Sequence, residues 1–448
     1  MKSRGYQRRA VRRSLQAAPG QRLLLVGPTG CGKTVIAVDV IRRHLRRGRR
    51  ILFLAHAQTI IEQTYDHLIE LGLKPEDVGV LMATDAAVKG HRERIRPDAP
   101  IQIAGILTVT RRDFVRADVV FVDEAHHAAA ETYTALLAQY PNAIVYGLTA
   151  TPHRMDGKGL RDCFDELYVI ASASKLIAQG FLAAPIVYSK PDGFRDARVR
   201  RVKTVGRDYA VGELGRAMNH RRLVGNIITE WKRLGRNRAT VVFASSIPHS
   251  KTIAARFNAA GVKAEHIDES THPNERKAIL GRLNSGATKV VCNYGVLGEG
   301  WDQPAVKCVV LARPTKSLTV YLQQAGRTLR PYKRQRPIVL DHAGNALRFG
   351  LPQMEREHSL DGVPKMKGNA PVKVCTECEA LIPASARECP ECGHEFPRVE
   401  TPEEAEAKLE RVHGALRLAR ISAFAKRRHL GDAWLRAAVA AQIPGHSA

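Results

Sequence analysis

The chain has 448 residues, 44% of them hydrophobic, which is enough for about three domains with apolar cores. Lysine and arginine number 70 against 44 aspartate and glutamate, a formal net charge of +26. This imbalance indicates a polyanionic partner such as nucleic acid, unless the whole source proteome is arginine-rich. No apolar run approaches the roughly 18 residues that a bilayer span requires, which argues against a membrane protein.

Short apolar runs alternate with helical stretches through two long segments of the chain. Nearly continuous apolar runs are typical of strands buried on both faces of a parallel sheet. The predicted fold class is therefore α/β, with two similar lobes built on parallel sheets. The first series is RLLLVG (22–27), RILFLAH (50–56), IQIAGIL (101–107), DVVFVDE (118–124) and IVYGLTA (144–150); the second is TVVFASS (240–246), VKAEHID (262–268), KVVCNYG (289–295), VKCVVLA (306–312) and PIVLDHA (337–343).

Composition shifts along the chain predict six segments. The segment between the two series is polar and basic, and the strand pattern stops near residue 350. The predicted boundaries are lobe 1 at 1–170, a connector at 171–217, lobe 2 at 218–350, a linker at 351–370, a cysteine module at 371–398 and a basic helical tail at 399–448.

A phosphate-binding loop follows the first strand. The sequence GPTGCGKT (27–34) fits G-x-x-x-x-G-K-[ST] and precedes a helix-forming run. Its glycines allow backbone N–H groups to point at phosphates, while Lys33 reaches the β- and γ-phosphates and Thr34 holds Mg²⁺. Cys31 is expected to contribute its backbone and no thiol chemistry. The predicted nucleotide contacts are Gly27, Pro28, Thr29, Gly30, Cys31, Gly32, Lys33 and Thr34.

Two carboxylates end another apolar strand, in DVVFVDEAHH. Asp123 is predicted to bind Mg²⁺, and Glu124 to orient or deprotonate the attacking water. The alternative is a helix whose first turn is acidic. The histidines do not have HExxH spacing, so a zinc protease is not supported.

Five motifs occur in one order: GPTGCGKT, VDEAH, GLTATP, LGEGWDQP and QQAGRTLRP. Over about residues 1–345 the chain thereby resembles the superfamily 2 helicases and translocases of the DEAD/DEAH-box kind. The resemblance implies two RecA-like lobes that enclose ATP, with single-stranded nucleic acid crossing both lobes on another face. It also places lobe 1 backbone contacts within AHAQTI (55–60) and LTVTRRDF (107–114).

The resemblance further assigns residues to roles. It implies that Gln7, with Arg4 nearby, reads adenine. It also implies that Asp302 of GEGWD touches the ribose, with Gly300 in the same nucleotide site, and that the GEGWD loop contacts the nucleic-acid backbone. The alternative for Gln7 is a surface residue on a basic helix. His126 joins the catalytic carboxylates as part of VDEAH, and hydrolysis is coupled to strand movement by Thr149, Ala150 and Thr151.

The family motif Q-x-x-G-R-x-x-R matches Gln323, Arg327 and Arg330. The resemblance implies that both arginines face the γ-phosphate held by Lys33 and act as arginine fingers. A salt-bridged helix face and a contact to the nucleic-acid backbone are the alternatives.

Four late cysteines, Cys375, Cys378, Cys389 and Cys392, form two C-x-x-C pairs. Paired thiolates at this spacing predict a Cys₄ zinc ribbon, with a rubredoxin-like iron site as the rival. This usage indicates a reducing compartment, the cytoplasm. The ribbon is either a docking module or a stabilising clip.

The helicase motifs, DHAGN (341–345) and the ribbon together look like the bacterial RadD-type (YejH-like) DNA-repair helicases. The expected function is therefore an ATP- and Mg²⁺-dependent DNA translocase or helicase in repair or recombination. RNA-directed ATPases and restriction motors remain open, as does a zinc-bearing adaptor without turnover. The ribbon or the tail is expected to contact DNA or a repair protein, although a solvated helix is the alternative for the tail.

Overall fold

The computed structural model describes residues 3–55, 58–81, 92–111, 114–127, 131–154, 157–189, 197–206, 208–298, 303–333, 335–362 and 371–396. The chain divides into two compact units, residues 1–385 and 386–448. Among the predicted features, Gly300, Asp302 and the tail 399–448 lie outside the described residues, as do parts of the two predicted backbone-contact loops.

A seven-stranded parallel sheet forms the first lobe within the described ranges. All its strands except the edge strand β7 are almost wholly buried because α-helices cover both faces, and an apolar core lies on each side. The order is β3-β4-β2-β5-β6-β1-β7. The strands are β1 Arg22–Val26, β2 Ile51–Ala55, β3 Val78–Leu81, β4 Ile101–Gly105, β5 Val119–Asp123, β6 Ile144–Thr149 and β7 Glu166–Val169.

A second parallel sheet, with six strands in the described part of the chain, forms the second lobe. It too lies between two apolar cores. The order is β12-β13-β11-β14-β15-β8. The strands are β8 Ile186–Ser189, β11 Thr240–Phe243, β12 Ala264–Ile267, β13 Val290–Asn293, β14 Cys308–Leu311 and β15 Ile338–Asp341. The prediction of an α/β fold with two parallel sheets is therefore confirmed.

Sequence reasoning missed the strands β3, β7 and β8. Each has four residues and lies at the edge of its sheet, as does β12, which was predicted. β8 belongs to the predicted connector, yet it pairs in parallel with β15. The connector therefore contributes directly to the second lobe.

The described helices pack on the two sheets. α12 contains Gln323 of the predicted arginine motif and ends just before its two arginines. It begins after Ser317, whose Oγ accepts the N–H of Val320 at 3.4 Å. The helices are α1 Gly5–Ser14, α2 Lys33–Leu45, α3 Gln58–Glu70, α4 Ile106–Val109, α5 Glu131–Ala138, α6 Ala173–Ala178, α7 Ala197–Arg200, α8 Val211–Met218, α9 Arg221–Leu234, α10 Ile247–Ala259, α11 Pro273–Ser285, α12 Leu318–Gly326 and α13 Asn345–Phe349.

Two small antiparallel pairs complete the described elements. In the connector, β9 (Thr204–Val205) pairs with β10 (Asp208–Tyr209). Later in the chain, β16 (Val372–Val374) pairs with β17 (Leu381–Pro383), and Leu381 is buried in a core of the second lobe. The first part of the cysteine module is therefore packed on the second lobe.

Residues 351–362, predicted as part of a linker, form a strap that joins the two lobes. Leu351 lies in a core of the second lobe, whereas Leu360 lies in a core of the first. The carbonyl of Leu360 accepts the backbone N–H groups of Leu160 (2.7 Å) and Arg161 (3.1 Å). Because each end is held in a different core, the strap links the lobes independently of the connector.

Polar contacts hold the strap at further points. Arg161 Nη2 donates to Asp361 Oδ2 at 2.9 Å. Glu355 Oε1 accepts from Ser172 Oγ (3.0 Å) and Ser174 Oγ (2.7 Å), which lowers the pKa of Glu355. The Arg356 guanidinium donates to four carbonyls of the strap and the turn before it: Phe349, Leu351, Pro352 and Met354.

The described residues include no helix that is both long and apolar enough to span a membrane.

Leu360→Ala is expected to lower the free energy of unfolding by about 2–5 kcal/mol, because it removes buried methyl groups and leaves a cavity. Chemical denaturation would measure the change, and cleavage within the strap by added protease should rise. Leu107→Ala is the matched control, since Leu107 is 59% exposed in the same lobe. An equal loss of stability in both variants would contradict the anchoring role of Leu360.

Candidate nucleotide site and cysteine cluster

Three adjacent strands bring the predicted nucleotide residues to one edge of the first sheet. β6 pairs with β1 and with β5, and all three run in parallel. In this register Val26 lies beside Thr149, and Asp123 lies beside Leu148. The loop after β1, the acid at the end of β5 and the threonine at the end of β6 therefore share the carboxyl edge, where open α/β sheets bind ligands.

The loop of residues 27–32 leads directly into α2, whose first residue is Lys33. Gly30 and Gly32 have φ values of +86° and +84°, which turn successive peptide groups so that N–H groups converge. Lys33 Nζ donates to the Gly27 carbonyl at 3.1 Å and so lies across the loop. A helix N-terminus, converging N–H groups and an ammonium fit a polyphosphate chemically.

Gln7 lies against this loop. It is 5% exposed, and its Nε2 donates to the Cys31 carbonyl at 3.2 Å. Its Oε1 accepts the backbone N–H of Arg4 at 2.8 Å, at the start of α1. The Tyr6 hydroxyl donates to the same Cys31 carbonyl at 2.8 Å. The amide of Gln7 therefore ties α1 to the phosphate loop and is not a surface group.

A cavity of about 390 Å³ is lined in part by Tyr6, whose hydroxyl donates to the Cys31 carbonyl of the phosphate loop. The Arg4 guanidinium lies 4.3 Å from the centroid of the Phe181 ring, which forms one wall. The lining residues are Gly5, Tyr6, Arg9, Gln179 and Phe181. An aromatic wall next to a phosphate loop is chemically suited to a nucleobase.

Cys31 is 1% exposed, and burial raises the pKa of its thiol. A protonated, buried thiol is a poor nucleophile. The environment of Cys31 thus agrees with the expectation of no thiol chemistry.

Glu124 has a strained backbone, with φ at +46°, a region that non-glycine residues occupy at a cost of about 1–3 kcal/mol. Its Oε2 is buried and accepts no hydrogen bond from the described residues, although His126 Nδ1 lies 3.4 Å away. The adjacent Asp123 accepts the Glu124 N–H at 3.0 Å. A carboxylate oxygen without a hydrogen bond at this edge can accept one from water.

A chain of buried polar groups connects the lobes. His126 Nδ1 lies 3.3 Å from Thr149 Oγ1, and its Nε2 lies 3.4 Å from Nε2 of Gln323 on α12. In parallel, Thr151 Oγ1 donates to Thr319 Oγ1 at 3.0 Å. These contacts join the predicted catalytic and coupling residues of the first lobe to one helix of the second.

Thr319 was not predicted from the sequence. It precedes Gln323 by four residues on α12, so the two side chains lie on the same face of the helix. That spacing was the available signal.

The end of α12 touches the phosphate loop. A Cβ placed on Gly326 would lie 2.8 Å from Thr29 Cβ, so only glycine permits this approach of the lobes. A Cβ placed on Gly30 would lie 3.2 Å from Arg330 Cγ, so the Arg330 side chain lies directly over the loop. Burial lowers the pKa of Arg330 to about 10, and the guanidinium remains charged at neutral pH.

Arg327 follows a different course. Its Nε donates to the carbonyl of Gly298 at 3.2 Å, and its Nη2 donates to the same oxygen. Gly298 belongs to the second lobe and precedes the predicted ribose contact, Asp302. The two predicted arginines therefore differ in their contacts. The Arg330 side chain contacts the phosphate loop of the first lobe, whereas the Arg327 side chain donates to a loop of the second lobe, to which both arginines belong.

Each C-x-x-C pair forms a turn with the same backbone pattern. In the first, Glu379 N donates to the Cys375 carbonyl at 3.0 Å, and Cys375 N donates to the Ala380 carbonyl at 2.9 Å. In the second, Gly393 N donates to the Cys389 carbonyl at 2.9 Å, and Cys389 N donates to the His394 carbonyl at 2.8 Å. Glu379 and Gly393 both have positive φ, +61° and +77°.

The four sulfur atoms of Cys375, Cys378, Cys389 and Cys392 lie within 4.8 Å of one another. All eight cysteines lie in the described ranges, and none of them forms a disulfide there. Sulfur ligands about 2.3 Å from a tetrahedral zinc ion require this proximity, so the donor set fits a metal ion.

Two family descriptions match separate stretches of the chain. Residues 1–154 match "Type III restriction enzyme, res subunit", and residues 220–332 match "Helicase conserved C-terminal domain". Together the two matches cover more than half of the chain.

Similar proteins come from phage, yeast and archaea. A 51.5 kDa protein of a Lactococcus phage is 29% identical over 396 residues, which are 87% of this chain and 82% of the phage protein. The Saccharomyces cerevisiae protein IRC3 is named as an ATP-dependent helicase. It is 26% identical over 67% of this chain, and the match covers 45% of IRC3. The DNA 3'-5' translocase XPB2 of Sulfurisphaera tokodaii is 23% identical, over 79% of this chain and 84% of XPB2.

Solved structures share the fold. The DEAD-box helicase Mss116 bound to single-stranded RNA has a TM-score of 0.54 at 16% identity, covering 75% of this chain and 69% of Mss116. The Type ISP restriction-modification enzyme LlaBIII bound to DNA also has a TM-score of 0.54, at 14% identity, covering 76% of this chain and 27% of LlaBIII. With the motif order, the matched domains and the two parallel sheets, the chain belongs to helicase superfamily 2, whose members are nucleic-acid-dependent ATPases.

Proposed function

We propose that this protein is an ATP- and Mg²⁺-dependent translocase or helicase that acts on DNA. The observation that carries the proposal is the approach of Arg330 from the second lobe to Gly30 of the phosphate loop. An arginine placed there by a second lobe makes hydrolysis depend on the arrangement of the lobes. That dependence is the property a motor requires.

The phosphates would be bound by the loop 27–34 and by Lys33, which would exchange the Gly27 carbonyl for phosphate oxygens. The base would occupy the cavity lined by Phe181, whose ring the Arg4 guanidinium contacts. Since the Nε2 of Gln7 already donates to Cys31, its second amide hydrogen is the one offered to adenine. Asp302 remains the predicted ribose contact, with Gly300 in the same nucleotide site.

Hydrolysis would use the carboxylates at the end of β5. Thr34 and Asp123 would hold Mg²⁺, which supplies charge neutralisation of the β- and γ-phosphates when bound. Glu124 would orient the attacking water and accept its proton through Oε2, which accepts no hydrogen bond from the described residues.

Arg330 would stabilise the charge that develops on the γ-phosphate, while Arg327 would hold the loop at Gly298 in place. His126, Gln323, Thr149, Ala150 and Thr151 would transmit the state of the nucleotide to the second lobe through the buried contacts between the lobes. Relative movement of the lobes would then advance the protein along nucleic acid.

DNA is the proposed track. The net charge of +26 favours a polyanion, and the similar archaeal protein is named a DNA translocase. An RNA-directed ATPase is the alternative suggested by the shared fold of Mss116, and a restriction motor is the one suggested by the match to residues 1–154. An adaptor without turnover would need a defective engine, which Lys33, Glu124 and Arg330 argue against.

The cysteine cluster would hold a structural zinc ion and serve as a docking module for DNA or a repair protein. Together with DHAGN it supports a role like that of the RadD-type repair helicases, in a reducing compartment such as the cytoplasm.

ATP turnover should be stimulated by DNA in a side-by-side comparison of single-stranded DNA, duplex DNA, branched DNA and RNA. Steady-state phosphate release measures the effect for each nucleic acid. Stimulation by RNA alone would contradict the DNA assignment. No turnover with any of these nucleic acids would favour the zinc-bearing adaptor without ATPase activity.

Arg330→Ala should leave ATP affinity within about twofold while turnover falls by about 10³ or more, as for other arginine fingers. Binding of a slowly hydrolysed ATP analogue and the rate of phosphate release separate the two effects. Arg256→Ala, an exposed arginine on α10 of the same lobe, is the matched control and should turn over normally. Unchanged turnover in Arg330→Ala would remove the finger from the mechanism.

Replacing Cys375, Cys378, Cys389 and Cys392 with serine should release one zinc ion per chain and unfold the module, because zinc contributes on the order of 10 kcal/mol to such folds. Metal analysis of purified protein measures the loss, and far-UV circular dichroism should show the lobes still folded. Cys292→Ala, which alters a buried thiol of the second lobe, should keep its zinc. A full equivalent of zinc in the four-serine variant would place the metal elsewhere.

A further inference from the structure

Three consecutive carbonyls of the turn that follows α12, those of Thr328, Leu329 and Arg330, accept hydrogen bonds. Leu329 O accepts the N–H of Ala183, in the connector, at 2.7 Å. Thr328 O accepts from Lys307 Nζ at 3.2 Å, and Arg330 O accepts from the same ammonium. The backbone that carries the Arg330 side chain is therefore fixed by a lysine on one side and a backbone amide on the other.

Lys307 places a charged side chain in a position where burial is destabilising. Its side chain is completely buried, at 0% exposure, just before β14. No carboxylate pairs with its ammonium in the described part of the chain. The positive charge of Arg238 there repels the ammonium. A buried ammonium that lacks a carboxylate partner is destabilising unless other groups satisfy its donors. Here the acceptors are the two carbonyls of the arginine turn.

The backbone of Lys307 is also fixed. Its N–H donates to Ala239 O at 3.1 Å, and its carbonyl accepts from Ile338 N at 2.9 Å, so it is held between β11 and β15. Burial, reinforced by Arg238, lowers the pKa of Lys307 to about 8, and the side chain is still largely an ammonium at neutral pH. A rigid sheet thus presents a charged donor to the end of α12.

We propose that Lys307 is a positioning residue for Arg330, which it acts on through the carbonyls of Thr328 and Arg330 and never through the nucleotide. The proposal rests on the proposed role of Arg330 as a finger. The ammonium fixes where the chain leaves α12 and thereby sets the position of the guanidinium over Gly30. Methionine at position 307 would fill a similar space but has no donor, so both carbonyls would lose this hydrogen bond.

Misplacement of a catalytic group by about 1 Å can lower a rate by about 10². Lys307→Met should therefore lower kcat for ATP hydrolysis by about 10- to 100-fold and leave KM for ATP within about twofold. Because a finger acts on the transition state, the variant should also lose the preference of the wild-type protein for ADP–aluminium fluoride over a slowly hydrolysed ATP analogue.

Three further variants make the test specific. Lys307→Gln keeps one amide donor for the two carbonyls and should have an intermediate kcat. Lys263→Met alters an exposed lysine just before β12 and should behave as wild type. Combining Lys307→Met with Arg330→Ala should lower kcat no further than Arg330→Ala alone, since the first change acts only through the second residue.

Full turnover in Lys307→Met would overturn the proposal. The proposal would also be overturned if Lys307→Met and Lys307→Gln both lowered the melting temperature and abolished binding of both analogues. That result would mean that Lys307 only stabilises the fold. Failure of the finger itself has a different signature: Arg330→Ala would then turn over normally, whatever Lys307→Met does.

Discussion

The contact between the turn after α12 and the phosphate loop is the constraint on which the proposed mechanism depends. Gly326 lies against Thr29, and the Arg330 side chain lies over Gly30. Both contacts join lobes that are separate in sequence, so each lobe supplies only half of the arrangement. Glycine is required at position 326 because any side chain there would collide with the loop and hold the lobes apart. The charge of Arg330 can act on a phosphate only while this approach is maintained.

Buried polar groups around that contact are stabilising only when the lobes are together. His126 lies near both Thr149 and Gln323, and Thr151 donates to Thr319 across the same boundary. If the lobes separated, these groups would lose their partners and water would have to replace them. The strap at 351–362 opposes separation, because Leu351 and Leu360 are buried in different lobes. The structure thus combines switchable polar contacts with an apolar tether.

Local patterns in the sequence were sufficient for the central strands and for the phosphate loop. Each of the ten predicted apolar runs contains a strand, since a run that is buried on both faces must be apolar at nearly every position. The edge strands β3, β7 and β8 lie outside these runs, although β12, an edge strand of the same length, lies within one. The turns at Cys375 and Cys389 were predictable because C-x-x-C spacing itself brings two sulfur atoms together.

The sequence by itself determined the class of fold, the type of engine and the chemical identity of its candidate groups, because these follow from short-range periodicity and from motifs of adjacent residues. Tertiary structure alone decided which of two equivalent arginines lies on the phosphate loop, that Gln7 ties α1 to that loop, and that a predicted linker is a strap. It also placed the ammonium of Lys307 beneath the arginine turn. Each of these depends on packing between residues far apart in the chain, for which no local spacing rule exists.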